Sequence, residues 1–175
     1  MAAPGEGARL IELRPTPLDH PDAAALIVLL QAHYLEIYGG HDDTPHAAAQ
    51  FVPPEGYFVV GYVDDVAVAC GGWRARDDDQ PPLRPGDAEI KRMFVRPTHR
   101  GRGVARAVLT DLETAAVRAG RRRMVLETGL RQPAAIGLYV GAGYAPMAPF
   151  GTYSDADGSR HYSKSLPGVI ARDDG

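Results

Sequence analysis

Ten residues carry the first chemical signal: Arg96-Pro97-Thr98-His99-Arg100-Gly101-Arg102-Gly103-Val104-Ala105. They follow an apolar run suited to a strand and lead into a segment of helical periodicity. A strand, a tight glycine loop and a helix N-terminus form an anion cradle, because the first N–H groups of a helix have no carbonyl to bond. Gly101 and Gly103 let an anion approach the backbone, and Arg100 and Arg102 add positive charge. Lys91 to Arg123 holds ten of the nineteen basic residues and only two acids, Asp111 and Glu113, in a chain of net charge −3. Such local charge suits a specific anion site better than a polyanion-coated surface. The alternatives are a solvated basic face and a glycine turn that only connects strand to helix.

Two carboxylates form the second signal. Glu89 and Glu127 fall inside strand-like runs, where a carboxylate is costly unless it is solvated, paired or functional. Each could simply pair with an arginine. Strict alternation places Glu89, Lys91 and Met93 on one face, and Ile90, Arg92 and Phe94 on the other. The histidines are scattered without metal-ligand spacing, so no metal is expected. Cys70, the only cysteine, reads as a small buried residue rather than a nucleophile. Tyr34, Tyr38, Phe150 and Tyr153 are candidates to line an acceptor pocket, with core packing the commoner fate. The acidic runs 41–43 and 77–79 could attract an amine but more often solvate a loop.

The elements that must position these groups alternate between α and β. Strands are expected at 9–14, 57–63, 66–73, 88–95 and 123–128, with two more possible at 143–148 and 160–166. Asp64-Asp65 is a hairpin turn. A helix capped by Asp19 or Asp22 runs to Tyr38, and Gly39-Gly40 ends it. A short helix is possible at 44–50. Val104, Val108, Leu112, Ala115 and Ala119 make one apolar face of a helix over 103–119, and Pro133 to Gly141 is a short helix.

The loop lacks the Gly-Lys-Ser/Thr of a nucleoside triphosphate site, and Arg106 stands where a dinucleotide fingerprint needs its third glycine. Arg100-x-x-Gly103-x-Ala105 resembles instead the Gln/Arg-x-x-Gly-x-Gly/Ala pyrophosphate loop of the GNAT superfamily of N-acetyltransferases. A second block, Leu126 through Gln132, Ala135 and Leu138-Tyr139 to Gly143-Tyr144, is similar to that family's next motif. Tyr139 follows Arg100 by 39 residues, a spacing that fits the family. The resemblance covers about residues 86–145, and 9–75 more loosely. Gln132 stands where many members have Asn.

The resemblance implies an α/β fold of the GNAT type. Its mixed, twisted sheet has six to seven strands, with the fourth and fifth splayed, and about four helices. Acetyl-CoA is the implied acetyl donor. Backbone groups at Met93, Phe94 and Val95 would pair with its pantetheine arm, as an added strand does. The N–H groups from Arg100 through Gly101, Arg102, Gly103, Val104, Ala105 and Arg106 would hold its pyrophosphate, with Gln132 nearby. Tyr139 is the implied proton donor to the thiolate; a core aromatic is the other reading. Glu89 and Glu127 are both candidate bases, with Glu89 slightly preferred. The acceptor is expected to be a small-molecule amine such as an amino acid, polyamine or amino sugar. The runners-up are a protein N-terminus or lysine, and a non-catalytic acetyl-CoA-binding module.

Composition sets the remaining bounds. The chain has 175 residues, 45% of them hydrophobic and 23% charged, which suits one globular domain over 9–168 with disordered ends at 1–8 and 169–175. Its longest apolar run, Ala23 to Leu30, is eight residues, far below the ~20 needed to span a bilayer. Neither membrane nor nucleic acid is an expected partner. The N-terminus shows no secretory pattern, and with one cysteine the expected location is cytoplasmic. The sequence leaves a homodimer open.

Overall fold

The computed structural model describes residues 10–168, so the expectations for 1–8 and 169–175 lie outside the described residues. Strands β1 (Glu12–Pro15), β2 (Gly56–Val63), β3 (Val66–Arg76), β4 (Asp87–Val95), β5 (Arg123–Gly129), β6 (Ala145–Pro146) and β7 (Ser159–Ser165) form one sheet. Their order is β1-β2-β3-β4-β5-β7-β6. Every pair is antiparallel except β4 with β5. The helices are α1 (Pro21–Tyr38), α2 (Val104–Arg118) and α3 (Pro133–Gly141), with short 3-10 turns at Ala48–Phe51 and Pro97–His99. Among the described residues there are three α-helices, close to the about four expected.

The helices cover opposite faces of the sheet. Leu26 and Leu30 of α1 pack with Phe58, Val60, Cys70 and Phe94. On the other face, α2 and α3 meet Val59, Trp73, Ile90, Met124 and Leu126. The buried stripe of α2 is Val104, Val108, Leu109, Leu112 and Ala116. Leu109 and Ala116 thus join the expected face, Ala119 packs against the same core part-buried, and Ala115 is only half-buried. Burying a Val or Leu side chain contributes about 1.5–3 kcal/mol, so this stripe fixes the helix behind the loop it follows. The N-cap of α1 is His20, whose ring accepts the Asp22 N–H, rather than either aspartate; Gly39 closes the helix at φ 72°.

The open part of the sheet matters most for the site. β4 and β5 pair only at Asp87–Arg123, Ala88–Met124 and Glu89–Val125. Asp87, fully buried, clamps this closed end through bonds of 2.8 and 2.6 Å from Arg123. Past Glu89 and Val125 the strands diverge, as the resemblance implies. β4 also carries a bulge: Cys70 faces Phe94 but Gly72 faces Lys91, which leaves an extra residue in β4. Arg92 sits there at φ 61°, uncommon for a side chain of its size. The bulge overturns strict alternation. Arg92 joins Glu89 and Lys91 on the α1 side, while Met93 turns to α2 and lies beside Gly71.

Candidate active site

A cleft of about 840 Å³ fills the gap between the diverging strands. Met93, Phe94 and Val95 line one wall, and Leu126, Glu127 and Thr128 the other. Arg100, Gly101, Gly103, Val104, Ala105 and Arg106 close one end, and Gln132 and Tyr139 of the α3 segment lie across the gap. One edge of Val95 and Phe94 pairs with Ala69 and Cys70; no strand pairs with the other edge.

The glycine loop has the geometry of an anion cradle. Gly101 and Gly103 hold φ of 72° and 77°, and a Cβ on either would meet nothing within 4 Å. Both glycines line the cleft. The N–H groups of residues 101–106 bond to no backbone carbonyl among the described residues, whereas Arg100 N–H is spent on Pro97. Arg100 donates instead to the Val95 carbonyl at 3.0 Å, and Arg106 reaches the Gly141 carbonyl at 3.4 Å. Both side chains thus brace the loop to its neighbours. Arg102 is exposed.

Tyr139 is 5% exposed and stacks edge-on against Tyr144, 5.6 Å between ring centres. Its hydroxyl bonds to no other described residue. Burial, reinforced by the Glu127 carboxylate, pushes its pKa well above the usual phenol value, so it is a held proton at neutral pH. Gln132 donates its amide N–H to the Tyr38 hydroxyl at 3.0 Å, tying α3 to the end of α1.

The two glutamates part company. Glu89 Oε2 accepts from Arg74 Nε at 3.0 Å and Arg76 Nη1 at 2.8 Å, and it does not line the main cleft. Glu127 does. Its Oε1 accepts from the Ser159 hydroxyl at 2.7 Å. Burial raises its pKa, partly offset by that bond and by Lys91. A second chamber, about 370 Å³, opens on the far side of Glu127. Lys91, Glu127 and Tyr153 line both spaces.

Asp42 belongs here, although its acidic run looked like a solvated loop. It accepts from Lys91 at 3.3 Å and Arg92 at 2.9 Å, and its own side chain is mostly buried. Burial opposes its ionisation, but these cations and Thr44 outweigh that and hold its pKa down to about 2. The sequence signal was the consecutive pair Lys91-Arg92 inside a strand, which demands a carboxylate from elsewhere. Tyr153 bonds to Asp42 and to the Asp43 N–H, which joins the two long loops over the site. Tyr34 and Tyr38 line the cleft, and Phe150 and Tyr153 the chamber. Cys70 is fully buried, its thiol pushed up to about 12 by burial, which makes it an unsuitable nucleophile.

The acetyltransferase (GNAT) family model matches residues 23–144, a span that holds the loop, most of the cleft lining and Tyr139. The chain belongs to the acetyltransferase (GNAT) family. It is an acyltransferase. This acetyltransferase is 32% identical over 141 residues to an IAA acetyltransferase of Azospirillum brasilense, across 80% of this chain and 87% of that protein. A solved Klebsiella pneumoniae structure, assigned as an acyl-CoA N-acyltransferase, matches with a TM-score of 0.75 and 26% identity, covering 92% of this chain and all of that one. A Salmonella typhimurium protein, solved with its cofactor acetyl-CoA, matches with a TM-score of 0.65 and 20% identity over 94% and 99% of the two chains. Among the described residues, no helix is long and apolar enough to cross a membrane, and no cluster of residues is arranged to hold a metal ion.

Proposed function

We propose that this acetyltransferase moves an acetyl group from acetyl-CoA to a primary amine of a small molecule, by direct attack within a ternary complex. The observation that carries the reading is the position of Glu127, on the boundary between a long cleft and a small second chamber. The cleft suits a donor with a peptide-like arm and a pyrophosphate. It offers the free edge of β4 to the arm and the unclaimed N–H groups of 101–106 to the phosphates. The chamber suits an acceptor of modest size, since Tyr153 and the Asp42 loop narrow it.

Acetyl-CoA supplies an acyl carbon activated by its thiol leaving group. Glu127, ionised, takes a proton from the ammonium or the attacking amine; Ser159 fixes which oxygen it presents. The new C–N bond forms as the C–S bond breaks. Tyr139 donates its phenolic proton to the departing thiolate and regains one from solvent. Glu89 acts through others, holding Arg74 and Arg76 in place. We therefore take Glu127 as the base over Glu89, which also lines the chamber but is held by two arginines.

Thiol release from acetyl-CoA over an amine panel tests this reading. Release that depends on a small amine, with a product heavier by one acetyl group, is expected. Tight coenzyme binding without release for any amine would point to a non-catalytic module. Release only with peptides or proteins would move the acceptor to that class.

A further inference from the structure

We infer that the acceptor is an amine that also carries a carboxylate, as an α-amino acid does, with Lys91 and Arg74 as the groups that read the carboxylate. This rests on the acetyl-transfer reading and names its substrate class.

The second chamber is walled by charge. Lys91 and Arg74 are each more than nine-tenths buried, yet neither has spent its donors. Lys91 Nζ makes one hydrogen bond, 3.3 Å to Asp42 Oδ2, an oxygen that already accepts from Arg92 at 2.9 Å. Two of its three N–H groups are uncommitted. Arg74 uses Nε for Glu89 and Nη1 for the Pro45 carbonyl and Gln50, and its Nη2 bonds to no described residue. Both side chains line the chamber. A buried cation with unused donors is costly unless a ligand completes it.

The charge balance points the same way. Three cations, Arg74, Arg76 and Lys91, line the chamber with the carboxylates Asp78, Glu89 and Glu127; Asp78 and Glu89 are each already paired with arginine, and Lys91 shares Asp42, outside the chamber, with Arg92. Glu127, the third carboxylate on the chamber wall, forms no ion pair with a described residue; its partner is the Ser159 hydroxyl. The unmatched groups are therefore the free donors of Lys91 and Arg74 on one side and the carboxylate of Glu127 on the other. A polyamine or polycationic amino sugar would leave those donors unmatched, whereas one amine facing Glu127 with one carboxylate facing Lys91 and Arg74 matches both. Glu127 borders the cleft while Arg74 lines the chamber alone, so an amine held by Glu127 lies beside the donor site with its carboxylate toward Arg74.

The test compares thiol release with a set of L-α-amino acids, their primary amides, the matching decarboxylated amines, and spermidine. Wild-type protein is expected to prefer the best amino acid over its own amide by at least tenfold in kcat/KM. Lys91→Met should raise KM for that amino acid by tenfold or more and erase the preference, leave KM for acetyl-CoA unchanged, and be rescued in part by Lys91→Arg. Because the amide comparison uses unaltered protein, misfolding of a variant does not decide the result. Turnover of amines without a carboxylate preference, or best turnover of spermidine, overturns the inference and leaves acetyl transfer standing. Thiol release with none of the amines overturns both the inference and the small-molecule acceptor on which it rests.

Discussion

Lys91 and Arg92 are neighbours in β4, yet both side chains reach the same oxygen of Asp42, at 3.3 and 2.9 Å. A regular strand would send them to opposite faces. The bulge at Arg92 brings both to the α1 side and, by the same turn, moves Met93 to the other. The opening of the sheet, the cationic wall and the loop that covers it are thus one local arrangement.

Asp42 should make this arrangement acid-sensitive. Its pKa is held down to about 2, below the unfolded value near ~3.9. A depressed carboxylate contributes stability that is full above the unfolded pKa and is lost as pH falls through the folded one. The melting temperature of wild-type protein should therefore fall between pH 4 and 2 more steeply than that of Asp42→Asn, which should already be less stable at pH 7. Parallel curves would show that Asp42 is not the linked group.

Gly103→Val places a branched side chain at φ 77° on a residue that lines the cleft. Acetyl-CoA affinity should drop at least tenfold, about 1.4 kcal/mol. Calorimetry beside a melting curve checks this; full affinity in a folded variant would put the phosphate site elsewhere.

Glu127→Gln and Glu89→Gln should separate cleanly. The first should lower kcat by roughly 10²–10⁴ and abolish the limb along which the rate rises with pH. Since burial raises the pKa of Glu127, its ionised form destabilises the fold as pH rises through that value, so the glutamine variant should be at least as stable at neutral pH. The second leaves Arg74 and Arg76 facing a neutral amide in a buried site. It should cost about 3 kcal/mol of stability and keep the pH limb. Denaturation curves and pH-rate profiles of both variants decide the matter, and the reverse pattern would make Glu89 the base.

Tyr139→Phe removes one hydroxyl and keeps the ring against Tyr144. A kcat loss of roughly 10² with unchanged coenzyme affinity is expected. A silent substitution would leave Tyr139 a packing residue.

Much of this was legible in local sequence. The bounds of α3, the Asp64-Asp65 turn at φ 50° and 61°, and the loop at Gly101 and Gly103 follow from short-range rules about proline, glycine and turns. The site's finer order was not. Glu89 and Glu127 look alike in sequence because their difference lies in distant partners: Arg74 and Arg76 for one, Ser159 for the other. The bulge was hidden because a glycine, not an arginine, is the usual sign of positive φ. Asp42 read as a solvated acid because its partners stand some fifty residues away.

Initial velocities of thiol release, measured while acetyl-CoA and the best small amine are both varied, test the central claim most directly. Direct transfer in a ternary complex requires reciprocal plots that intersect, together with an acetylated amine as product. Parallel lines would mean that the acetyl group first rests on the protein, and would contradict direct attack between cleft and chamber across Glu127.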